Sequence, residues 1–95
     1  FDISSTASGQ CWSMTSYCPV PGPVPSSPAN NNYKPGFSSA LMLKDLRLSQ
    51  EAASMTTSST PLGANATSIY EEIENLGQDS IDFSGVIKLL QNKLK

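Results

Sequence analysis

A lysine and an aspartate stand side by side, as Lys44 and Asp45, within the stretch LMLKDLRLSQEAA that covers residues 41–53. On a helical wheel with about 100° per residue, Lys44 falls inside an apolar stripe. The stripe consists of Phe37, Leu41, Leu48, Ala52 and Met55. A charged group there costs free energy unless it finds a polar partner or its long stem carries it to water. The wheel therefore leaves two roles open for Lys44, which are contact with a bound polar group and exposure to solvent.

The residue combinations that most active sites use are absent from this sequence. It contains no histidine, and its cysteines, Cys11 and Cys18, have no visible activating neighbour. We expect no metal site and interpret the cysteines as reduced structural thiols, although a loop between them would permit a disulfide. The acidic residues of the segment 71–74 are interpreted as a solvated helix face. On chemistry alone, the chain is not a complete enzyme.

The segment LGQDSID, residues 76–82, resembles the Asp-Ser-Leu motif at which acyl carrier proteins bear phosphopantetheine on a serine. Only 15 residues follow Ser80, which is enough for one helix, whereas a carrier places about half of its bundle after that serine. We therefore interpret Asp79, Ser80 and Asp82 as turn and cap residues. A helical interaction module or an acyl-carrier-like module remains the alternative function.

Composition indicates one small domain that is part of a larger protein. The chain has 95 residues and a net charge of −2, which suits a single domain with a small core. Six lysines and arginines are too few for a nucleic-acid surface, and no apolar run reaches the ~20 residues of a membrane span. The chain starts at Phe1 rather than Met, and the apolar spacing up to Gly9 suggests the last turns of a helix that begins earlier. We expect a piece of a longer protein that binds neither nucleic acid nor membrane.

The elements that must position Lys44 are helices. We predict a helix from about Ser38 to Met55, covered on two sides because Met42, Leu46 and Ala53 form a second apolar patch. The segment 19–36 holds six of the seven prolines, which excludes a helix or central strand there. A loop of this length needs a surface on which to lie.

Two further helices are predicted downstream of this one. The first has Thr60 as N-cap and Pro61 as its first residue, and Gly77 ends it. The second is capped by Asp82 and carries apolar residues on one face as far as Leu94. Its lysines, Lys88, Lys93 and Lys95, lie toward the C-terminal end, where the helix dipole favours cations. The predicted fold class is all-α, a small helical bundle-like domain with a long proline-rich loop.

Three segments in this order and spacing resemble the C-terminal helical domain of the β-hydroxyacid dehydrogenase family. They are CWSMTSYCPVPG (11–22), NNYKPGFSSALMLKDLRLSQEAA (31–53), and STPLGANATSIYEE (59–72) together with DFSGVIKLL (82–90). The family usually carries glycine after the Lys-Asp-Leu motif, where this sequence has Arg47. That position faces the polar flank of the predicted helix, so we do not interpret the difference as loss of function.

The resemblance implies a two-domain enzyme similar in architecture to 6-phosphogluconate dehydrogenase. An N-terminal Rossmann domain would bind NAD, and residues 1–95 would close the cleft and mediate assembly into a dimer or tetramer. The implied reaction oxidises 3-hydroxyisobutyrate to methylmalonate semialdehyde in valine breakdown. The implied location is intracellular, which means cytoplasmic in a bacterium and the mitochondrial matrix in a eukaryote. The family's catalytic lysine would lie upstream, so no catalytic residue is expected in this chain.

The resemblance also assigns roles to five residues of this chain. Lys44 matches a lysine that contacts the cofactor, with Asp45 as its neighbour in the motif. Trp12, Tyr17 and Phe37 match aromatic positions at or near the cleft that holds the hydroxy-acid substrate. Judged from the residues alone, Trp12 and Phe37 also fit a plain core role, and Asp45 also fits a surface ion pair.

Overall fold

Two long helices form the centre of the structure, a computed structural model that describes residues 1–94. The helices are α1 (Trp12–Thr15), α2 (Ser39–Thr56), α3 (Pro61–Asn75) and α4 (Val86–Leu90), and single 3-10 turns cover Ser4–Thr6, Pro28–Asn31 and Phe83–Gly85. Within the described residues, the β structure is limited to an isolated bridge between Ser38 and Asp82. The predicted all-α class is confirmed. None of the helices in residues 1–94 has the length and apolarity that crossing a membrane requires.

The ends of α2 and α3 agree closely with the sequence prediction. Ser38 is the N-cap of α2, and its Oγ accepts a hydrogen bond from the Leu41 N–H at 3.2 Å. Pro61 opens α3, where its missing N–H costs nothing because the first turn has no intrahelical acceptor for it. Thr60 holds the N-cap position but makes no side-chain bond to the helix. Gly77 follows α3 with φ of 72°, a left-handed conformation that favours glycine.

The core lies between α2 and α3. Leu43, Tyr70 and Ile73 are buried there, and six partly buried apolar residues pack around them. These six are Met42, Leu46, Phe83, Val86, Leu89 and Leu94. The helix α2 therefore buries the patch that contains Met42 and Leu46, which lies opposite the apolar stripe around Lys44.

That stripe is uncovered within the described chain. Leu41, Leu48 and Met55 remain 47%, 56% and 79% exposed, so the predicted burial of α2 on two sides is wrong for the chain by itself. We call these three residues, together with Ala52, the open stripe of α2. Phe37 does not belong to it, because this residue precedes the N-cap and lies outside the helix. The physical reason is that α3 packs against the other side of α2.

The proline-rich segment 19–36 forms a loop that its own side chains hold together. Asn30 Oδ1 accepts a hydrogen bond from the Gly22 N–H at 2.9 Å, and Asn30 Nδ2 donates to the Val24 carbonyl at 2.8 Å. The Tyr33 hydroxyl donates to the carbonyl of Pro19 at 2.6 Å. The Lys88 ammonium lies 4.6 Å from the centre of the Tyr33 ring, which attaches the loop to α4. The surface that this loop needs is thus supplied partly by α4.

Two predicted helical segments are shorter in the structure than the sequence suggested. Near the N-terminus a single 3-10 turn replaces the helical turns expected up to Gly9, and Ile3 finds no apolar surface to cover it. The last helix ends at Leu90 instead of continuing to Leu94, because Asn92 takes a left-handed conformation with φ of 58°. The apolar period continues past the point at which the backbone leaves the helix. Lys95 lies outside the described residues.

Candidate functional site

The carboxylate of Asp82 is at the centre of the best-defined polar cluster, and none of the residue is exposed to solvent. Its Oδ1 accepts hydrogen bonds from the Tyr17 hydroxyl at 2.6 Å, the Gly36 N–H at 2.9 Å and the Phe37 N–H at 3.1 Å. Its Oδ2 accepts from the N–H of Ser84 at 3.0 Å and from the hydroxyl of Ser84 at 2.5 Å. Five donors from three separate segments therefore satisfy both oxygens of a buried carboxylate.

The hydrogen bonds to Asp82 keep its carboxylate ionised. Burial alone would raise the pKa of Asp82, but bonds from Ser84, Tyr17 and the Phe37 N–H outweigh it and hold the pKa below its ordinary value of 3.8. Burial, the hydrogen bond to Asp82 and the nearby negative charge raise the pKa of Tyr17 to about 12. Burial and the charge of Asp82 raise the pKa of Tyr70 to about 12. At neutral pH the cluster therefore contains an ionised carboxylate and protonated phenols.

Aromatic rings form a stack that is joined to this carboxylate through the Tyr17 hydroxyl. The Tyr17 ring stacks on Phe83, with centroids 5.1 Å apart and planes 17° apart. Trp12 stacks on the other face of Tyr17 at 5.2 Å and 19° and is 61% exposed. Phe37 meets Phe83 edge to face at 6.0 Å. The structure therefore brings Trp12, Tyr17 and Phe37, which are distant in the sequence, into one cluster.

A glycine allows the phenol and the carboxylate to meet. A Cβ atom on Gly36 would lie 2.9 Å from the Tyr17 hydroxyl oxygen and 3.8 Å from Asp82 Oδ1. The first of these distances is shorter than a carbon-to-oxygen contact allows, so a side chain at this position would push Tyr17 away. Glycine at position 36 thus leaves room for the hydrogen bond between Tyr17 and Asp82.

An apolar cavity of about 270 Å³ lies beside the stack. The rings of Tyr17, Tyr70 and Phe83 line it together with Val86 and Leu90 of the α4 helix. The Tyr70 hydroxyl donates to the Phe83 carbonyl at 2.8 Å, and this bond attaches the Phe83 end of the stack to α3. Phe83 therefore connects the aromatic cluster to the hydrophobic core, because it also packs against the buried residues of that core.

Lys44 and Asp45 lie on α2, outside the aromatic cluster. Both side chains are exposed, and neither forms a salt bridge among residues 1–94. The salt bridges in that part of the chain join Arg47 to Glu71 at 3.5 Å and to Glu74 at 3.1 Å, across the α2–α3 pair. Arg47 is therefore more than a solvated residue of the polar flank. Lys44 is exposed beside the open stripe and has no acidic partner among residues 1–94.

Three residues of the cluster escaped the sequence analysis. Asp82 was predicted only as a cap, and its Oδ2 does accept a hydrogen bond from the Ser84 N–H in that way. Nothing in the local pattern indicates that Oδ1 bonds three donors from far upstream. Gly36 and Phe83 carried no signal that a single sequence can reveal, because their importance rests on close contacts with Tyr17. Cys11 and Cys18 are both free thiols, as expected. Cys18 is buried, whereas Cys11 is exposed and so does not have the structural role that was predicted for both.

Comparison with protein families gives a match along nearly the whole chain. Residues 1–90 match the family described as "NAD-binding of NADP-dependent 3-hydroxyisobutyrate dehydrogenase". A probable 3-hydroxyisobutyrate dehydrogenase of Mycobacterium tuberculosis is 50% identical over 91 residues, which are 96% of this chain and 31% of that protein. The human mitochondrial 3-hydroxyisobutyrate dehydrogenase is 42% identical over 91 residues, or 96% of this chain and 27% of the human protein. The chain thus spans about 31% or less of the length of these relatives.

A solved structure gives the same result in three dimensions. The M. tuberculosis 3-hydroxyisobutyrate dehydrogenase, whose structure is described together with L-serine, superposes with a TM-score of 0.90 at 49% sequence identity. The superposition covers 95% of this chain and 31% of that one. The likeness therefore extends to the arrangement of the helices.

Proposed function

The chain belongs to the family of NAD-binding domains of NADP-dependent 3-hydroxyisobutyrate dehydrogenases, and on this basis we propose that residues 1–95 are the C-terminal helical domain of such an enzyme. The full enzyme oxidises 3-hydroxyisobutyrate to methylmalonate semialdehyde, a step of valine breakdown. Its cofactor is a nicotinamide dinucleotide, NAD or NADP, which serves as the hydride acceptor. The catalytic lysine lies in the part of the protein that precedes this chain.

The meeting of three aromatic side chains carries this proposal. By resemblance to the family, Trp12, Tyr17 and Phe37 correspond to aromatic positions at or near the active-site cleft. Their rings belong to one cluster in the structure. The exposed face of Trp12 is a suitable wall for the small apolar part of a β-hydroxy acid. Such a wall also excludes water from one side of the reacting carbon.

The surroundings of Lys44 fit a cofactor contact. Its ammonium is exposed and has no acidic partner within residues 1–94, and it lies between Leu41 and Leu48 of the open stripe. A cation in that position suits a polar or anionic group of a bound nicotinamide dinucleotide. Asp45 follows it on the helix and is proposed as a neighbouring residue of the cleft. These two residues act in binding, and no proton transfer is assigned to them.

The open stripe of α2 suggests what the domain contacts in the full enzyme. We propose that the N-terminal Rossmann domain, or a second copy of the protein in a dimer or tetramer, covers Leu41, Leu48 and Met55. Burial of such residues contributes roughly 25 cal/mol for each Å² of apolar surface removed from water. An intracellular location is proposed, in the cytoplasm of a bacterium or the mitochondrial matrix of a eukaryote.

The experiment is an assay of the full-length protein that carries this chain. The purified enzyme is given 3-hydroxyisobutyrate with NAD or NADP, and the reduced cofactor is followed by its absorbance. We expect turnover, with a higher kcat/KM for 3-hydroxyisobutyrate than for L-serine, which is tested because it accompanies the mycobacterial structure. Trp12→Ala should lower kcat/KM, whereas Leu62→Ala, which alters an exposed residue of α3, should not. Absence of turnover with both cofactors would refute the proposal.

A further inference from the structure

The two oxygens of Asp82 have different partners, and the difference exceeds what a helix cap needs. A cap requires one carboxylate oxygen on an N–H of the first turn, which Oδ2 provides through Ser84. Oδ1 makes no bond to that turn and instead accepts from Tyr17, Gly36 and Phe37. These donors come from two upstream segments of the chain. The desolvation free energy of a buried carboxylate is larger than a single cap on such a short helix would offset.

The Tyr17 hydroxyl directs its proton to Asp82. At 2.6 Å this bond is short, as expected for a donor to a carboxylate, and it occupies the one proton that the phenol has to donate. The two faces of the ring are covered by Phe83 and by Trp12. The structure thus leaves Trp12, at the outer end of the stack, as the ring that is free to meet a ligand.

We propose that Asp82 is a positioning residue of the cleft, which holds Trp12 in place through the Tyr17 ring and at the same time fixes the backbone at Gly36 and Phe37. This inference rests on the proposed function and names the residue that sets the geometry of its aromatic wall. Trp12 touches the hydroxy-acid substrate, Tyr17 supports Trp12, and Asp82 orients Tyr17. Neither Asp82 nor the Tyr17 hydroxyl contacts the reacting atoms.

A double-mutant cycle in the full-length enzyme tests this order of action. The variants are Tyr17→Phe, Asp82→Asn and the double variant, and Ile73→Val serves as the control for a general loss of core stability. We expect each single change to raise the KM for the hydroxy acid by roughly 10-fold, because the Trp12 ring that meets the substrate is then no longer held in its binding position. Adding Tyr17→Phe to Asp82→Asn should cost less than about 3-fold more, because both act through one bond. The KM for the cofactor should stay unchanged, and Ile73→Val should lower only the melting temperature.

A spectroscopic readout separates this proposal from the proposed function. The near-UV circular dichroism and fluorescence of Trp12, isolated by subtracting the signal of a Trp12→Phe variant, report its stacking on Tyr17. We expect Tyr17→Phe and Asp82→Asn to change this signal and Ile73→Val to leave it intact. A wild-type enzyme without turnover would refute the proposed function, while the Trp12 signal would still test the positioning.

Several outcomes would overturn the positioning role. Multiplicative effects of Tyr17→Phe and Asp82→Asn would mean that the two groups act independently. An unchanged Trp12 signal, or a loss of melting temperature with no change in KM, would make Asp82 a structural cap only. If Asp82→Asn does not fold, Tyr17→Phe decides alone, because Asp82 then keeps four of its five donors. In that case an unaltered KM and Trp12 signal would refute the proposal.

Discussion

At the scale of single residues, the chain places one charge inside the protein and another at its surface, and the two have opposite tasks. Asp82 is buried and fully hydrogen-bonded, so its charge organises the protein's own groups. Lys44 is exposed and has no acidic partner in residues 1–94, so its charge is available to something outside. We therefore expect substitution of Asp82 to change the stability of the fold and substitution of Lys44 to change the kinetics of the full-length enzyme.

Acid should weaken the fold through Asp82. Its pKa in the folded chain is lowered below 3.8, so the unfolded chain binds this proton more readily than the folded one does. The stability that Asp82 contributes is therefore fully present above the ordinary pKa and is lost as the pH falls through the lowered one. Urea unfolding from about pH 6 to about pH 2 should show wild type and Asp82→Asn becoming more alike toward acid. A difference that is the same at every pH would contradict this.

Lys44→Ala should impair the full-length enzyme while leaving its folding intact. Loss of a charge-assisted hydrogen bond to the cofactor predicts a fall in kcat/KM of roughly 10- to 150-fold. Alanine is a good helix former, so the melting temperature should barely change. Lys44→Arg should restore only part of the loss, because a planar guanidinium has a different shape. The matched control is Glu51→Ala, another exposed charge on α2, and an equal loss there would remove Lys44 from the site.

At the scale of elements, the two sides of α2 have different surroundings. One packs its Leu43 face on α3, and the other presents the open stripe and Lys44. The salt bridges of Arg47 to Glu71 and Glu74 hold the two helices in register along their exposed edge. Because that edge is solvated, its ion pairs contribute only a small part of the free energy of unfolding.

Arg47→Ala should lower the melting temperature slightly and should leave the kinetics of the full-length enzyme unchanged. The effect on melting should disappear near 1 M salt, where the Debye length is about 3 Å and exposed ion pairs are screened. Melting curves of wild type and variant at low and high salt measure this. A loss of stability that persists in high salt would show that the stem of Arg47, rather than its charge, supports the helix pair.

The elements were predictable to different degrees, for physical reasons. The helices α2 and α3 have a clear 3.6-residue period and end signals such as Pro61 and Gly77, so their bounds agree with the sequence. The last helix was predicted to be too long, because the apolar spacing continues to Leu94 whereas the backbone takes a left-handed conformation at Asn92. The side of α2 that α3 covers was not predictable, since both sides are apolar and tertiary packing decides between them.

The sequence indicated three aromatic residues of the cluster but not the residues that hold them together. The aromatic positions at Trp12, Tyr17 and Phe37 came from family resemblance, and the structure places them together. The carboxylate that joins them is separated from Tyr17 by 65 positions, and no local pattern reports a contact at that distance. The roles of Lys44 in cofactor binding and of the aromatic residues in substrate binding stay predictions.

At the scale of the whole molecule, several large apolar side chains of the 95-residue chain remain exposed. Leu41, Leu48 and Met55 are exposed on one side of α2, and exposed apolar residues that cluster in this way can form an interface. We expect the isolated chain to self-associate through this side and to have no dehydrogenase activity, since the proposed catalytic lysine lies elsewhere. Light scattering at rising concentration measures the association.

Charge substitutions locate the associating surface. Leu48→Lys and Met55→Lys should shift the chain toward monomer, whereas Ile3→Lys, at an exposed residue of the N-terminal turn, should not. A wild-type chain that stays a monodisperse monomer at high concentration would contradict the prediction. Dehydrogenase turnover by the rigorously purified chain would contradict the assignment of catalysis to another domain.

The bond between Tyr17 and Asp82 also bears on the order in which the protein folds. It closes a loop of 65 positions, whereas α2 and α3 are neighbours joined by a short turn. Closing long loops carries an entropic cost that local contacts avoid, so we expect the helical hairpin to form first and the aromatic cluster late. Interactions formed after the rate-limiting barrier govern how fast a protein comes apart rather than how fast it folds. Tyr17→Phe should therefore accelerate unfolding and leave the refolding rate nearly constant, which would make the aromatic cluster the last part of the domain to assemble and the first to be lost.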